Sequence, residues 1–251
     1  MRPPAPKAAA TSGPGERLSK RVAQMLGCSR SQAEQYIEGG WVRVAGKVVE
    51  SPQHRVAQEA ITVDREASVL DAGEVTLVLH KPANTPLRAA DQLLKPGSHS
   101  AQDATGQRPL LRHFKQLQTS VPLEDAASGL LVFTQDWRVQ RKLIEDMATM
   151  EHELMVEVRG AMAPEALVPI ERALRDPRHN LPPAKVSISS STEERSILRL
   201  AVKGAHPGLA AYLCDVAGLH INALRRIRLG RVSLGPVAPG QWRFLADWER
   251  F

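Results

Sequence analysis

The 251-residue sequence has no apolar run long enough to cross a bilayer. Its longest such stretches, residues 75–79 and 130–133, amount to a strand each. Only two cysteines occur, Cys28 and Cys214. They are too far apart for a paired zinc-ligand spacing and too few for a disulfide framework, so they read as reduced thiols in a cytosolic protein. The first residues alternate Pro, Ala and Lys without an apolar segment, so no secretory signal is expected. No two of the eight histidines have zinc-ligand spacing. Residues 204–208 lack the lysine and hydroxyl of a phosphate loop, and no internal repeat is visible.

The composition, 43% hydrophobic and 24% charged, is ordinary for a globular protein. The length suits one large domain or two smaller ones. A net charge of +6 favours an anionic partner.

Residues 1–15, rich in Pro, Ala and Gly, read as a disordered basic tail. From Glu16 a helical stripe of Leu18, Val22, Met25 and Leu26 is stopped by Gly27. Ser31 with Glu34 predicts a capping box for a second helix carrying Ala33, Tyr36 and Ile37, closed by Gly39 and Gly40. A hairpin about Ala45-Gly46 and a short strand at Ile61 and Val63 complete a unit over 16–65. A polar connection, 66–73, leads to a larger domain over 74–251. Its expected strands are 75–80, 129–134, 154–158 and 197–202. Its expected helices are 110–117, 139–147 and 209–217. Residues 95–109 read as a long surface loop, and 175–195 as a loop with a frayed strand. Trp242 and Phe244 are expected to pack the last strand and Trp248 to cover a surface, with Met25, Met147 and Met162 in the core. The fold class is α+β with a mixed sheet.

The segment Arg17-Leu18-Ser19-Lys20, Gly27-Cys28-Ser29-Arg30, Ala33, Tyr36-Ile37-Glu38-Gly39-Gly40, Val42 and Gly46-Lys47 resembles the αL RNA-binding domain of the ribosomal-protein-S-four type. The remainder resembles bacterial ribosomal RNA pseudouridine synthases of the RsuA, RluB and RluF branch, nearest to RluF. The resemblance is carried by Leu79-His80-Lys81-Pro82, by Ser128 to Thr134 with Asp136, and by Val216 to Leu219. Leu224 to Gly230 and Leu234 to Arg243 extend it. It implies a small RNA-binding domain joined to a catalytic domain on a mixed sheet, with no metal or organic cofactor.

That chemistry breaks the bond between uracil N1 and the ribose, turns the base and joins C5 to the sugar. In the family an aspartate in a Gly-Arg-Leu-Asp segment does this, paired with a basic residue of a later helix and near a strand tyrosine. Matching the Gly129-Leu130 block places that segment at residues 121–124. Glu124 then stands for the aspartate and Pro122 for the arginine. Leu154 stands for the tyrosine, and His152 for a lysine just before it. The late Arg-Gln-Ile-Arg-Arg falls on residues 207–211, with its basic residues gone. Asp125 is the substitute carboxylate, although a one-residue slip in an extended segment reverses its face.

Three readings stay open. The first is a ribosomal RNA-binding protein with lost or reduced isomerase activity. The second is a working synthase using Glu124 or Asp125 with Arg138, Arg141 or Lys142. The third is a scaffold whose old uridine cleft has a new ligand. The RNA contacts expected from the first domain are Arg17, Lys20, Arg21, Ser29, Arg30, Arg43 and Lys47, reaching phosphates. Arg225, Arg226, Arg228 and Arg231 form a second cationic run, as readily a solvated edge as an RNA contact. The partner expected is structured RNA, ribosomal in origin, bound by a cytoplasmic monomer that has no membrane contact.

Overall fold

The computed structural model describes residues 15–67 and 73–251. The predicted basic tail and most of the polar connection lie outside the described residues. Two compact units result: the described residues up to Gly73 with Leu110–Arg112, and Glu74–Pro109 with His113–Phe251.

In the first unit, β1 (Glu16–Arg17) leads into α1 (Leu18–Leu26) and α2 (Arg30–Glu38). Then come β2 (Val42–Val44), β3 (Lys47–Val48), β4 (Arg55–Val56) and β5 (Ile61–Val63). Gly27 ends α1 at φ 62°, a left-handed position that favours glycine. The α2 cap is not the expected one. Ser29 accepts from the Gln32 N–H and the Gln32 side chain accepts from the Ser29 N–H, while Glu34 pairs with Arg30 instead. The chain thus enters its helix two residues earlier than the Ser31 signal suggests. Ala45 and Gly46, both at positive φ, form the hairpin turn between β2 and β3. Leu18, Val22, Ala33, Ile37, Val42, Val44 and Val56 make the core. Met25, expected inside, is 49% exposed, because it lies past the buried stripe in the last turn of α1.

The second unit contains β6 (Thr76–Lys81), β7 (Ser128–Thr134), α3 (Trp137–Glu145), β8 (Glu151–Arg159) and α4 (Val168–Arg175). It continues with β9 (Ala184–Ser191), β10 (Arg195–Lys203), α5 (Leu209–Val216), β11 (Ile221–Leu229), β12 (Val232–Ser233) and β13 (Trp242–Phe244). The sheet order is β13-β6-β7-β11-β8-β10-β9, with β12 beside β11. Among the described strands only β7 and β11 pair in parallel, so the sheet is mixed and the class is α+β.

Apolar clusters pack both faces. One holds Leu77, Leu79, Leu131, Phe133, Trp242 and Phe244, and another holds Val78, Leu130, Val132, Leu143 and Leu229. The stretch 175–195, read as a loop with a frayed strand, holds a 3-10 turn at Pro177–His179 and a full edge strand, β9, and the unpredicted helix α4 precedes it. In β9, Val186 and Ile188 turn inward while Lys185 and Ser187 face water. The expected helix at 110–117 shrinks to one 3-10 turn, Leu111–Phe114. Met162 is buried and Met147 partly so, while Trp248 is 72% exposed. No described helix is long and apolar enough to cross a membrane.

Candidate active site

The site lies where the segment before β7 meets the sheet. Lys81 on β6, Gly129 on β7 and Arg226 on β11 stand in one row across three neighbouring strands. Gly129 has φ 111°, and a Cβ there would fall 2.2 Å from the Arg226 carbonyl oxygen. The parallel β7–β11 contact therefore requires glycine.

Both cations serve the backbone. Lys81 is 0% exposed, and its Nζ donates to the carbonyls of Pro82 (3.2 Å), Thr85 (2.9 Å) and Asp125 (2.9 Å). Arg226 is 1% exposed and donates from Nε to the Leu130 carbonyl (2.8 Å) and from Nη1 to the Pro122 carbonyl (2.7 Å). Its Nη2 has no protein partner. Neither cation pairs with an acid among the described residues. Burial pulls the Arg226 guanidinium down to about 9. Burial also lowers the Lys81 ammonium, partly offset by the Asp125 charge and reinforced by Arg226. Residues 122–125 are thus pinned at two carbonyls by two interior cations.

Glu124 is half-buried, and its Oε1 accepts from the Gly208 N–H at 2.8 Å. Gly208, at φ 84°, is the residue before α5. Asp125 is exposed and its Oδ1 accepts from the Leu87 N–H at 3.0 Å. Among the described residues neither carboxylate forms an ion pair. Arg138, Arg141 and Lys142, the partners weighed from sequence, each engage an acid on or beside α3: Asp136 (3.5 Å), Glu145 (2.8 Å) and Asp146 (2.6 Å). The α5 segment carries no basic residue, and Leu209 and Ala210 are packed into the core. Leu154 lies opposite Arg226 in the β8–β11 register. His152, buried on the same strand, has an Nε2 without a partner. Burial, then the Arg226 and His206 charges, lower its pKa to about 4, so it is neutral at pH 7.

The late arginine run does not act as one surface. Arg226 is interior, and Arg228 is held by Glu151 and by Glu153 (2.6 Å). Arg225 and Arg231 are exposed. Burial alone would raise the Glu153 carboxyl, but Arg199 and Arg228 together hold it below its ordinary value.

In the first unit all seven expected RNA contacts are on the surface. Lys20 and Arg30 have acid partners one turn away, Glu16 (2.7 Å) and Glu34 (3.1 Å). Arg17, Arg21 and Lys47 have no side-chain partner among the described residues. Arg43 reaches the Gly46 carbonyl only at 3.5 Å, and Ser29 is occupied in capping α2. No group of metal-binding side chains occurs among the described residues. Sequence reasoning missed the roles of Lys81 and Arg226. For Lys81 the local signal was a charge at the end of an apolar strand; Arg226 was hidden in a run of arginines.

Residues 16–61 match the S4 domain family. A protein named Uncharacterized RNA pseudouridine synthase from Aquifex aeolicus is 25% identical, over 93% of this chain and 94% of its own length. Ribosomal large subunit pseudouridine synthase B of Bacillus subtilis is also 25% identical, over 93% of each chain. A crystal structure of a pseudouridylate synthase, 19% identical, superposes with a TM-score of 0.52 over 92% of this chain and 96% of its own, which establishes the fold. The chain thus combines an S4 domain match with near-full-length similarity to proteins named RNA pseudouridine synthase.

Proposed function

We propose that the protein binds ribosomal RNA as a cytoplasmic monomer and that the isomerase activity of its fold is lost or much reduced. One observation carries this reading: Glu124, at the position of the family's aspartate, meets a backbone N–H of Gly208 and no cationic side chain. A nucleophile or base working at the ribose needs a fixed charge partner and exact reach. Glutamate is one methylene longer than aspartate, and a displacement of about 1 Å costs on the order of a hundredfold in rate. The nearby cations are committed to carbonyls, and leucine at 154 relays no proton. RNA contact falls to Arg17, Arg21, Arg43 and Lys47, with Lys20, Ser29 and Arg30 beside them. The finer placement near RluF draws no support from relatives that carry the B designation.

One observation favours the second reading, an active synthase using Glu124 or Asp125. The Asp125 charge is near enough to Lys81 to strengthen that ammonium's hold on its proton. Salt-dependent binding of ribosomal RNA fragments, with 5-fluorouridine-substituted RNA as a trap for a working site, tests the proposal. Binding that steepens with falling salt, with no covalent adduct, supports it. A flat salt response or adduct formation overturns it.

A further inference from the structure

On the sheet face opposite the Lys81–Gly129–Arg226 row, the loop after β12 borders an open cavity of about 500 Å³ against β6 and β11. Its lining includes Arg225, His80, Ile227, Pro236 and Pro239, and no acidic residue. Arg225 is exposed, and its guanidinium has no hydrogen-bond or ion-pair partner among the described residues. His80 lines the same cavity, and burial followed by the Arg225 charge lowers its imidazole pKa.

His80 is 4% exposed, and its ring is fixed by a 2.6 Å hydrogen bond between Nδ1 and the Val237 carbonyl. A carbonyl only accepts, so Nδ1 carries the proton and the neutral ring presents Nε2 as an acceptor. Nε2 has no protein partner and is not among the sealed, unsatisfied atoms of the interior, so it keeps solvent access on a side chain that lines the cavity. The loop is preformed. The Ser233 carbonyl accepts from Arg243 Nη2 (2.8 Å), the Leu234 N–H donates to the Ile227 carbonyl (2.8 Å), and the Gly240 N–H donates to the His80 carbonyl (2.8 Å).

We infer that this cavity is a binding site for a phosphate-bearing nucleotide unit, with phosphate on Arg225, a ribose hydroxyl or base N–H on His80 Nε2, and the base against Ile227, Pro236 and Pro239. An unpaired guanidinium in an acid-free pocket selects an anion. The open acceptor asks for a donor on the same ligand, and the proline and isoleucine walls ask for a flat apolar part. A bare phosphate satisfies only the first of these. The site stands on the far face of the sheet from Glu124, so it does not depend on whether that carboxylate works.

The test is titration of the full chain with inorganic phosphate, uridine 5′-monophosphate and a 12-nucleotide single-stranded RNA. Arg225→Ala, Arg225→Lys and, as an exposed control on the same hairpin, Arg231→Ala are run in parallel. Arg225→Ala should weaken nucleotide binding by about tenfold, Arg225→Lys by less, and Arg231→Ala not at all. The His80 Nε2 ¹⁵N resonance should shift on nucleotide addition, a readout that needs no substitution in the core. Arg225-dependent binding of the mononucleotide identifies a free nucleotide as the ligand; dependence seen with the 12-mer alone assigns the phosphate to an RNA backbone. Absence of saturable binding of either, or binding unchanged by Arg225→Ala with a still His80 resonance, overturns the assignment. Loss of RNA binding in Arg17→Ala with nucleotide binding intact separates this site from the S4 domain.

Discussion

Lys81 and Arg226, from strands separated by β7, face each other across Gly129 and hold the carbonyls of Asp125 and Pro122. Two interior cations thereby shape the segment that carries the candidate carboxylates without pairing with either carboxylate. Such a charge tolerates burial through its hydrogen bonds to carbonyl dipoles, and losing those bonds strands both partners.

The tightest point of that arrangement is Gly129. A methyl group there collides with the Arg226 backbone, and the positive φ disfavours any other L-residue. Gly129→Ala should lower unfolding stability by roughly 2–4 kcal/mol, seen as a reduced urea midpoint. An unchanged midpoint would show that β7 and β11 are not in this close contact.

His152 predicts an acid-sensitive fold. Its pKa is about 4 in the folded state against 6.5 ordinarily, so protons bind the unfolded chain more readily between those values. The contribution is fully present above pH 6.5 and is lost as pH falls toward 4, by roughly 3 kcal/mol at most. Urea midpoints at pH 7 and pH 4.5 should differ less in His152→Gln than in the wild type. Equal pH dependence in the two proteins contradicts the burial described here.

RNA binding through the S4 domain should rest most on its unpaired cations. Arg17→Ala with Arg21→Ala should weaken binding of ribosomal RNA fragments at every sequence tested. The same pair should flatten the log-affinity against log-salt slope by roughly one per residue. Arg30→Ala should do less, since Glu34 already offsets that charge. An effect of Arg30→Ala larger than that of the pair would show that the Arg30–Glu34 contact opens on binding.

Much of the fold was legible because burial imposes its own period. The stripe of Leu18 and Val22, the apolar run of β7 and the glycine stops are local signals. Helix α4 went unpredicted: it is two turns long, with Pro169 in the first turn and Pro177 just past its end. β9 read only as a frayed strand because an edge strand buries one face only and its outward residues are serines and a lysine. The Ser31 cap failed because two serines, two positions apart, offer the same chemistry, and only the chain path after Gly27 selects Ser29. At the site, the identity of residues 122, 124, 152 and 154 was readable. The Lys81–Gly129–Arg226 row was not, because it joins residues 48 and 97 positions apart through strand register. The Arg225–His80 cavity depends on the same long-range pairing.

The most direct test of the central claim is tritium release from ribosomal RNA labelled at uridine C5, with a known active pseudouridine synthase as positive control. The account predicts no release above the protein-free blank under conditions where the RNA is bound. Release stoichiometric with a target uridine, abolished by Glu124→Ala together with Asp125→Ala, would contradict it.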